Sequence, residues 1–347
     1  DEDGDDGGDD GEAGGGEAVT SFETTVHRFE DDFRDYNGTL DDDTEWTAEG
    51  GPYRLRGNLR VPDGVTLRIR PGTVVLADDE AAIIVSGELR AEGTEENPII
   101  MRAFFCDDEW GGIAFNETGT DEDDPTHLLS FCDIRGGSNP DGYDGCIAPT
   151  DSRLLVTDCL LADIPGNAID GVDAVLEVRR THIRDIFEGV HCEDSDTVVV
   201  DTVIENMTGN SDAIDFDGSG NNRSRIEGCV FIGSSDDGVD LGEVSVDIRN
   251  NIFVNIADKA ISIEDVGDQG HPTITGNLII RCGTGMAIKN GITISEGDHN
   301  TITECQEGIV LFAKDDSNEG GHATFHSVIC WGNAVDVIVD DRSTVAF

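Results

Sequence analysis

Lysine is nearly absent: Lys259, Lys289 and Lys314 are the only three in 347 residues. Asp and Glu number 74 against 22 Lys and Arg, a formal net charge of −52. Such a surface repels phosphate backbones and anionic lipid, which excludes nucleic-acid binding through a basic footprint. Apolar runs long enough to span a bilayer, roughly 18 residues, are also missing, so no transmembrane segment is expected. C-x-x-C pairs are absent, which removes zinc-ribbon and thioredoxin-like motifs. The nine cysteines are an odd number and too sparse for a disulfide scaffold. There is no initiating Met and no apolar leader region. The chain therefore reads as a mature product whose targeting segment has been removed, or as a trimmed chain.

What is present in excess is carboxylate. At ordinary ionic strength its self-repulsion opposes compaction; in molar salt the screening length shrinks to about 3 Å and the repulsion fades. A carboxylate coat with so little lysine is the composition of proteins from extreme halophiles, such as halophilic archaea. The competing reading, an acidic disordered protein, requires a lack of periodicity, and the periodicity here is strong.

Residues 1–17 hold nine acidic residues, seven glycines and one alanine. The segment 1–19 reads as an acidic tail, ordered only when a neighbouring subunit or cations hold it. Within 20–44, Phe22, Val26, Phe29 and Phe33 have amphipathic spacing, and Thr20 and Glu23 that of a capping box. That segment is expected to be a capping helix over 20–34 and a linker.

From 45 to 347 the chain repeats. A small residue followed by an aliphatic recurs at Ile147, Ile169, Val190, Ile214, Val239, Ile261, Met286, Ile309 and Val335, at intervals of 21 to 26 residues. Short strands, turns rich in Gly, Asn and Asp, and no intervening helices are a solenoid signature. The fold expected is all-β: a single-stranded right-handed parallel β-helix of roughly a dozen coils, stacked at about 4.8 Å.

Gly57-Asn58-Leu59, Val65-Thr66-Leu67-Arg68-Ile69-Arg70-Pro71-Gly72-Thr73, Gly87-Glu88-Leu89 and Trp110-Gly111-Gly112-Ile113 resemble the opening coils of secreted right-handed β-helix repeat proteins. The later coils resemble pectin-lyase-like repeats. The resemblance implies an extracellular or cell-surface setting, and is poor for function because the fold hosts lyases, hydrolases, adhesins and passive shafts. On this repeat Cys159 and Cys229 take the place of Val203, Ile252 and Leu278 as small inward hydrophobes. Cys282, Cys305 and Cys330 fall at similar points of three successive coils. A bridge between two of them fits the strand spacing, but buried free thiols are favoured.

Aligning the anchors puts Asp170, His191, Asp215, Asp240 and Ser262 in one outward column. Glu193, Asp217, Glu264 and Lys289 stand two positions on; Glu188, Asp212, Asp237 and Lys259 lie just before it. Stacked carboxylates repel, raise one another's pKa or bind a cation. A Ca²⁺ site of Asp212, Asp215, Asp217, Asp237 and Asp240 is one expectation. Catalysis is the other, with Asp215, Asp236, Asp237, Asp240, His191, Lys259 and Lys289 as candidates. Asp236-Asp237 with Asp215 resembles the Asp pair of polygalacturonases. The rest departs from that family: its Gly-His-Gly is only Gly270-His271-Pro272, and Ala287-Ile288-Lys289 stands nearest its Arg-x-Lys clamp. A solvated acidic coat explains the same residues without chemistry. Four N-x-[ST] sequons, at Asn37, Asn116, Asn206 and Asn222, suit a glycosylated surface.

The sequence therefore weighs toward a non-enzymatic extracellular or surface protein that associates with copies of itself, as a filament, array or adhesin shaft, with cell-surface glycans as further partners. The alternative is a polysaccharide lyase or glycoside hydrolase acting on an acidic glycan.

Overall fold

The computed structural model describes residues 33–347, apart from 106–108, 123, 125, 143, 219–223, 265–271 and 295. The acidic tail and residues 20–32 of the expected helix lie outside the described residues, as do Cys106, Asn222 and Gly270-His271.

Alternating side chains make the strands: in Val175–Arg179, Leu176 and Val178 are buried while their neighbours face outward. No coil can bury its apolar side chains alone, so each pairs in parallel with the next. The result is a parallel β-solenoid of about twelve coils. Three stacks of strands form its walls. One contains Val175–Arg179 and Asp196–Val200, paired in register. A second contains Val203–Met207, Val230–Ile232 and Ile252–Val254. The third contains Ile214–Asp217, Val239–Gly242 and Lys259–Glu264. One continuous apolar core runs inside them, from Trp46 stacked on Tyr53 (ring centroids 4.6 Å apart) to Phe325.

The corner between the first and second walls is built the same way in coil after coil. A residue with positive φ turns the chain: Asp158, Arg180, Asp201, Gly228, Asn250, Gly276 and His299 in succession. Asp, Asn and Gly tolerate this left-handed region best. The next side chain points inward and accepts the backbone N–H of the equivalent residue one coil earlier. Thr181 accepts from Cys159, Thr202 from Thr181, Asn251 from Cys229, Asn277 from Asn251 and Asn300 from Asn277. The asparagines also bond one another, Nδ2 to Oδ1, at 3.1 and 3.0 Å. A buried N–H that strand pairing cannot reach at the bend is satisfied in this way.

Three sequence expectations need correction. Among the described residues there is no α-helix, and the end of the expected helix and its linker are already solenoid. Arg34–Thr39 pairs in parallel with Tyr53–Val61, and Thr44–Trp46 with Thr66–Ile69. The short segments expected as linker find a coil to stack on and become strands. Cys159 and Cys229 sit one position before the strand residues assigned to them, at the corner, where a hydrogen-bond acceptor is needed. Cys330 stands opposite Ile302, not Cys305, whose N–H donates to Asn333 instead.

Asn277 accepts two hydrogen bonds and donates two. Asn277→Ala strands buried partners at about 1–3 kcal/mol each. Chemical denaturation of this variant in high salt is therefore expected to show a loss of at least about 3 kcal/mol, with the β-rich circular dichroism of the folded state unchanged.

Candidate functional site

The register confirms the outward column on the third wall. Asp170 pairs with His191, His191 with Asp215, Asp215 with Asp240 and Asp240 with Ser262. Val190, Ile214, Val239 and Ile261 beside them point into the core and hold the strands. A small residue precedes each anchor because the coils approach closely there; a Cβ on Gly189 would run into the carbonyl of Ala213.

His191 Nδ1 lies 3.0 Å from Asp170 Oδ2, which also accepts from Asn167 Nδ2 at 2.9 Å. The Asp170 acceptor raises the imidazole pKa to about 9, against an opposing effect of burial. Asp215 is pushed up to about 7, first by burial and then by repulsion from Asp217 and Glu188. Burial raises Asp212 to about 8, with repulsion from Asp237 and Asp240 adding to it and the Asp237 N–H (2.7 Å to Oδ1) pulling the other way. Burial likewise raises Asp217, Glu188 and Asp237, the last offset by Lys259.

The far end of the column carries the chain's three lysines. Lys259 Nζ reaches Asp237 Oδ1 at 3.2 Å and Asp258 Oδ2 at 2.6 Å. Burial works against its charge, but these bonds outweigh that and hold its pKa above the usual lysine range. Lys289 is buried and donates to Ser262 Oγ at 2.8 Å, with Glu264 Oε2 and Asp240 Oδ1 at 3.6 and 3.8 Å. Lys314 pairs with Glu264.

Of the five residues expected to share a cation, four fall into two groups whose ligand atoms lie within 4.8 Å of one another. These are His191 with Asp215 and Asp217, and Asp212 with Asp236 and Asp237. Asp240 belongs to neither and faces Lys289 instead. Asp236 Oδ2 accepts from Asn210 Nδ2 at 2.8 Å. Sequence reasoning found the column through its period; it passed over Asn167, which stands in register with Glu188, and Asn210 and Lys314, whose outward positions carry no periodic signal. Among the sequons, Asn37 and Asn206 are exposed and Asn116 is half-buried.

Folded-state values above the unfolded ones mean that these groups bind protons more tightly when folded. The stability they contribute is lost as pH rises, for Asp215 from 3.8 to about 7, for Asp212 from 3.8 to about 8 and for His191 from 6.5 to about 9. The thermal midpoint, measured in about 3 M salt with chelator, is expected to fall between about pH 6 and about pH 9. The double variant Asp212→Asn, His191→Gln should flatten that slope.

No curated protein matches the chain. Residues 38–122 match the family described as pectate-lyase like beta helix domain, and residues 161–320 the family described as periplasmic copper-binding protein (NosD). Among solved structures, a doubly substituted form of the periplasmic alginate epimerase AlgG is 12% identical over 88% of this chain and 84% of that one, with a TM-score of 0.50. The A-module of the mannuronan C-5 epimerase AlgE4 from Azotobacter vinelandii is 15% identical over 89% and 91%, at 0.40. PfbA, a surface adhesin of Streptococcus pneumoniae, is 14% identical over 86% of each chain, at 0.24. At 12% identity and a TM-score of 0.50, the likeness to AlgG speaks to fold alone. The chain is a right-handed parallel β-helix protein whose opening coils, residues 38–122, are similar to the pectate-lyase-like β-helix domain.

Proposed function

We propose that the third wall is an acid–base site of an extracellular or periplasmic β-helix, acting on an acidic polysaccharide by removing the proton next to a uronate carboxylate. One observation carries the reading: the Asp170-held His191 stands in register with Asp215, so a cation and a carboxyl that titrates near neutrality occupy adjacent coils. A merely solvated ladder would expose its carboxylates; here Asp170 and Asp237 are buried.

The imidazolium neutralises the substrate carboxylate and so stabilises the negative charge that develops when the adjacent C–H loses its proton. Asp215, with a pKa near the working pH, is suited both to take a proton and to return one. Expulsion of the neighbouring sugar oxygen, which takes the proton from Asp215, gives chain cleavage with an unsaturated end; delivery of a solvent proton to the opposite face, with the first proton kept on Asp215, inverts the carbon. Lys259 and Lys314 extend positive charge along the wall, toward a second uronate. Salt screens the remaining surface charge and lets a polyanion approach. The name alginate epimerase, borne by a protein of similar fold, directs the choice of substrates to uronate polymers.

The test is incubation with a panel of polyuronates in deuterated buffer at about 3 M salt. Deuterium at the carbon next to the carboxylate, or unsaturated ends, is expected, and Asp215→Asn should slow either by about 10²–10⁴-fold. Neither product across the panel refutes the reading.

A second reading, a self-associating surface shaft, rests on apolar side chains exposed at the end of the solenoid: Ile329, Val335, Val339, Phe347 and Trp331, the last 71% exposed. Light scattering in high salt should then reveal assemblies that Trp331→Glu disperses; a monodisperse monomer removes it.

A further inference from the structure

In two places along the corners of the solenoid a thiol meets a thiol. Asp133 pairs with Leu160, which sets Cys132 against Cys159 in the next coil. The Cys132 N–H donates to Cys159 Sγ at 3.4 Å, and the Cys132 thiol donates to the Ser130 carbonyl at 3.5 Å. At a different corner Ile280 pairs with Thr303, which sets Cys282 against Cys305. The geometry repeats: the Cys282 N–H lies 3.4 Å from Cys305 Sγ, and the Cys282 thiol donates to the Ile280 carbonyl at 3.5 Å. All four are buried. In-register neighbours stand about 4.8 Å apart between Cα atoms, inside the window of about 4.4–6.8 Å that a disulfide requires. Other described cysteines lack such a partner. Cys229 stacks between Thr202 and Asn251, Cys192 pairs with Gly171, and Cys330 pairs with Ile302.

We propose that Cys132–Cys159 and Cys282–Cys305 are oxidation sites that close as two coil-to-coil disulfides. The oxidant is a low-molecular-weight disulfide. One cysteine thiolate attacks it, forms a mixed disulfide and expels a small thiolate; the partner cysteine, giving up its proton, displaces the second. Two protein thiols lose two protons and two electrons, and the small disulfide becomes two thiols. Cys305 is the attacking sulfur of its pair: the adjacent Cys282, whose N–H donates to it, draws its pKa down to about 7. In the other pair Cys159 and burial hold the Cys132 thiol protonated. The proposal is independent of the function assigned to the third wall.

The folded chain is treated with oxidised glutathione in high salt, acid-quenched, unfolded in a maleimide and weighed. Two bridges consume four of the nine cysteines, so five labels are expected, rising to nine after reduction. Proteolysis should recover peptides joining Cys132 to Cys159 and Cys282 to Cys305. Cys282→Ser keeps a polar side chain at the corner but removes the resolving sulfur, so Cys305 should be trapped as the mixed disulfide, giving five labels and one retained glutathione. More than five labels on the parent chain, links among other cysteines, or a Cys282→Ser chain without retained glutathione on Cys305 overturns the assignment.

Discussion

A backbone N–H at a bend has no strand to pair with, and this fold bends in every coil. The column of inward Thr, Cys and Asn side chains at one corner answers that constraint, each accepting an N–H from the coil before it. Coil spacing, wall register and the outward columns all follow from it. Once a corner side chain meets its donor, the strands on either side can adopt only one alignment. The asparagine segment, Asn251 through Asn300, adds side-chain to side-chain bonds, and chains of such bonds in a dry interior reinforce one another.

Regular stacking has an electrostatic cost. Whatever faces outward is repeated at short intervals, and in a chain this acidic the repeats are often carboxylates. Most remain solvated. On the third wall they are packed closely enough to be partly desolvated, and Asp212 and Asp215 keep protons at pH values where an exposed Asp has none. His191 and the lysines enter where that repulsion would otherwise be greatest. A polarity results along the solenoid axis, with carboxyl groups at one end of the wall and ion-paired amines at the other.

The architecture was legible because the small-aliphatic anchor repeats with its period, and eight of nine anchors stand where the spacing put them. The ninth shows the limit. Ile309 pairs with Val337, not Val335, and the run 335–339 alternates, so a slip of two residues leaves every side chain on its expected face. Pattern alone cannot separate those registers. The cysteine register is off by one for another reason: Cys159 and Cys229 are buried and inward as hydropathy suggests, but they stand at the corner, which also needs an acceptor, a property that Cys, Thr and Asn share and hydropathy does not record. The column of His191, Asp215 and Asp240 followed directly from the anchors. Its contacts with Asn210 and Lys314 did not, since they depend on loops whose length differs from coil to coil.

All three lysines lie along one wall, with side chains 22% exposed at Lys259, 3% at Lys289 and 47% at Lys314. Side-chain amine chemistry is thereby confined to a single direction of the molecule. Aldehydes, activated esters and acyl donors that react with ε-amines would attach chiefly through Lys314, then Lys259, and would leave the other two walls bare. A surface that captures the protein through these amines would hold every molecule in the same orientation, with the carboxylate ladder turned toward the support.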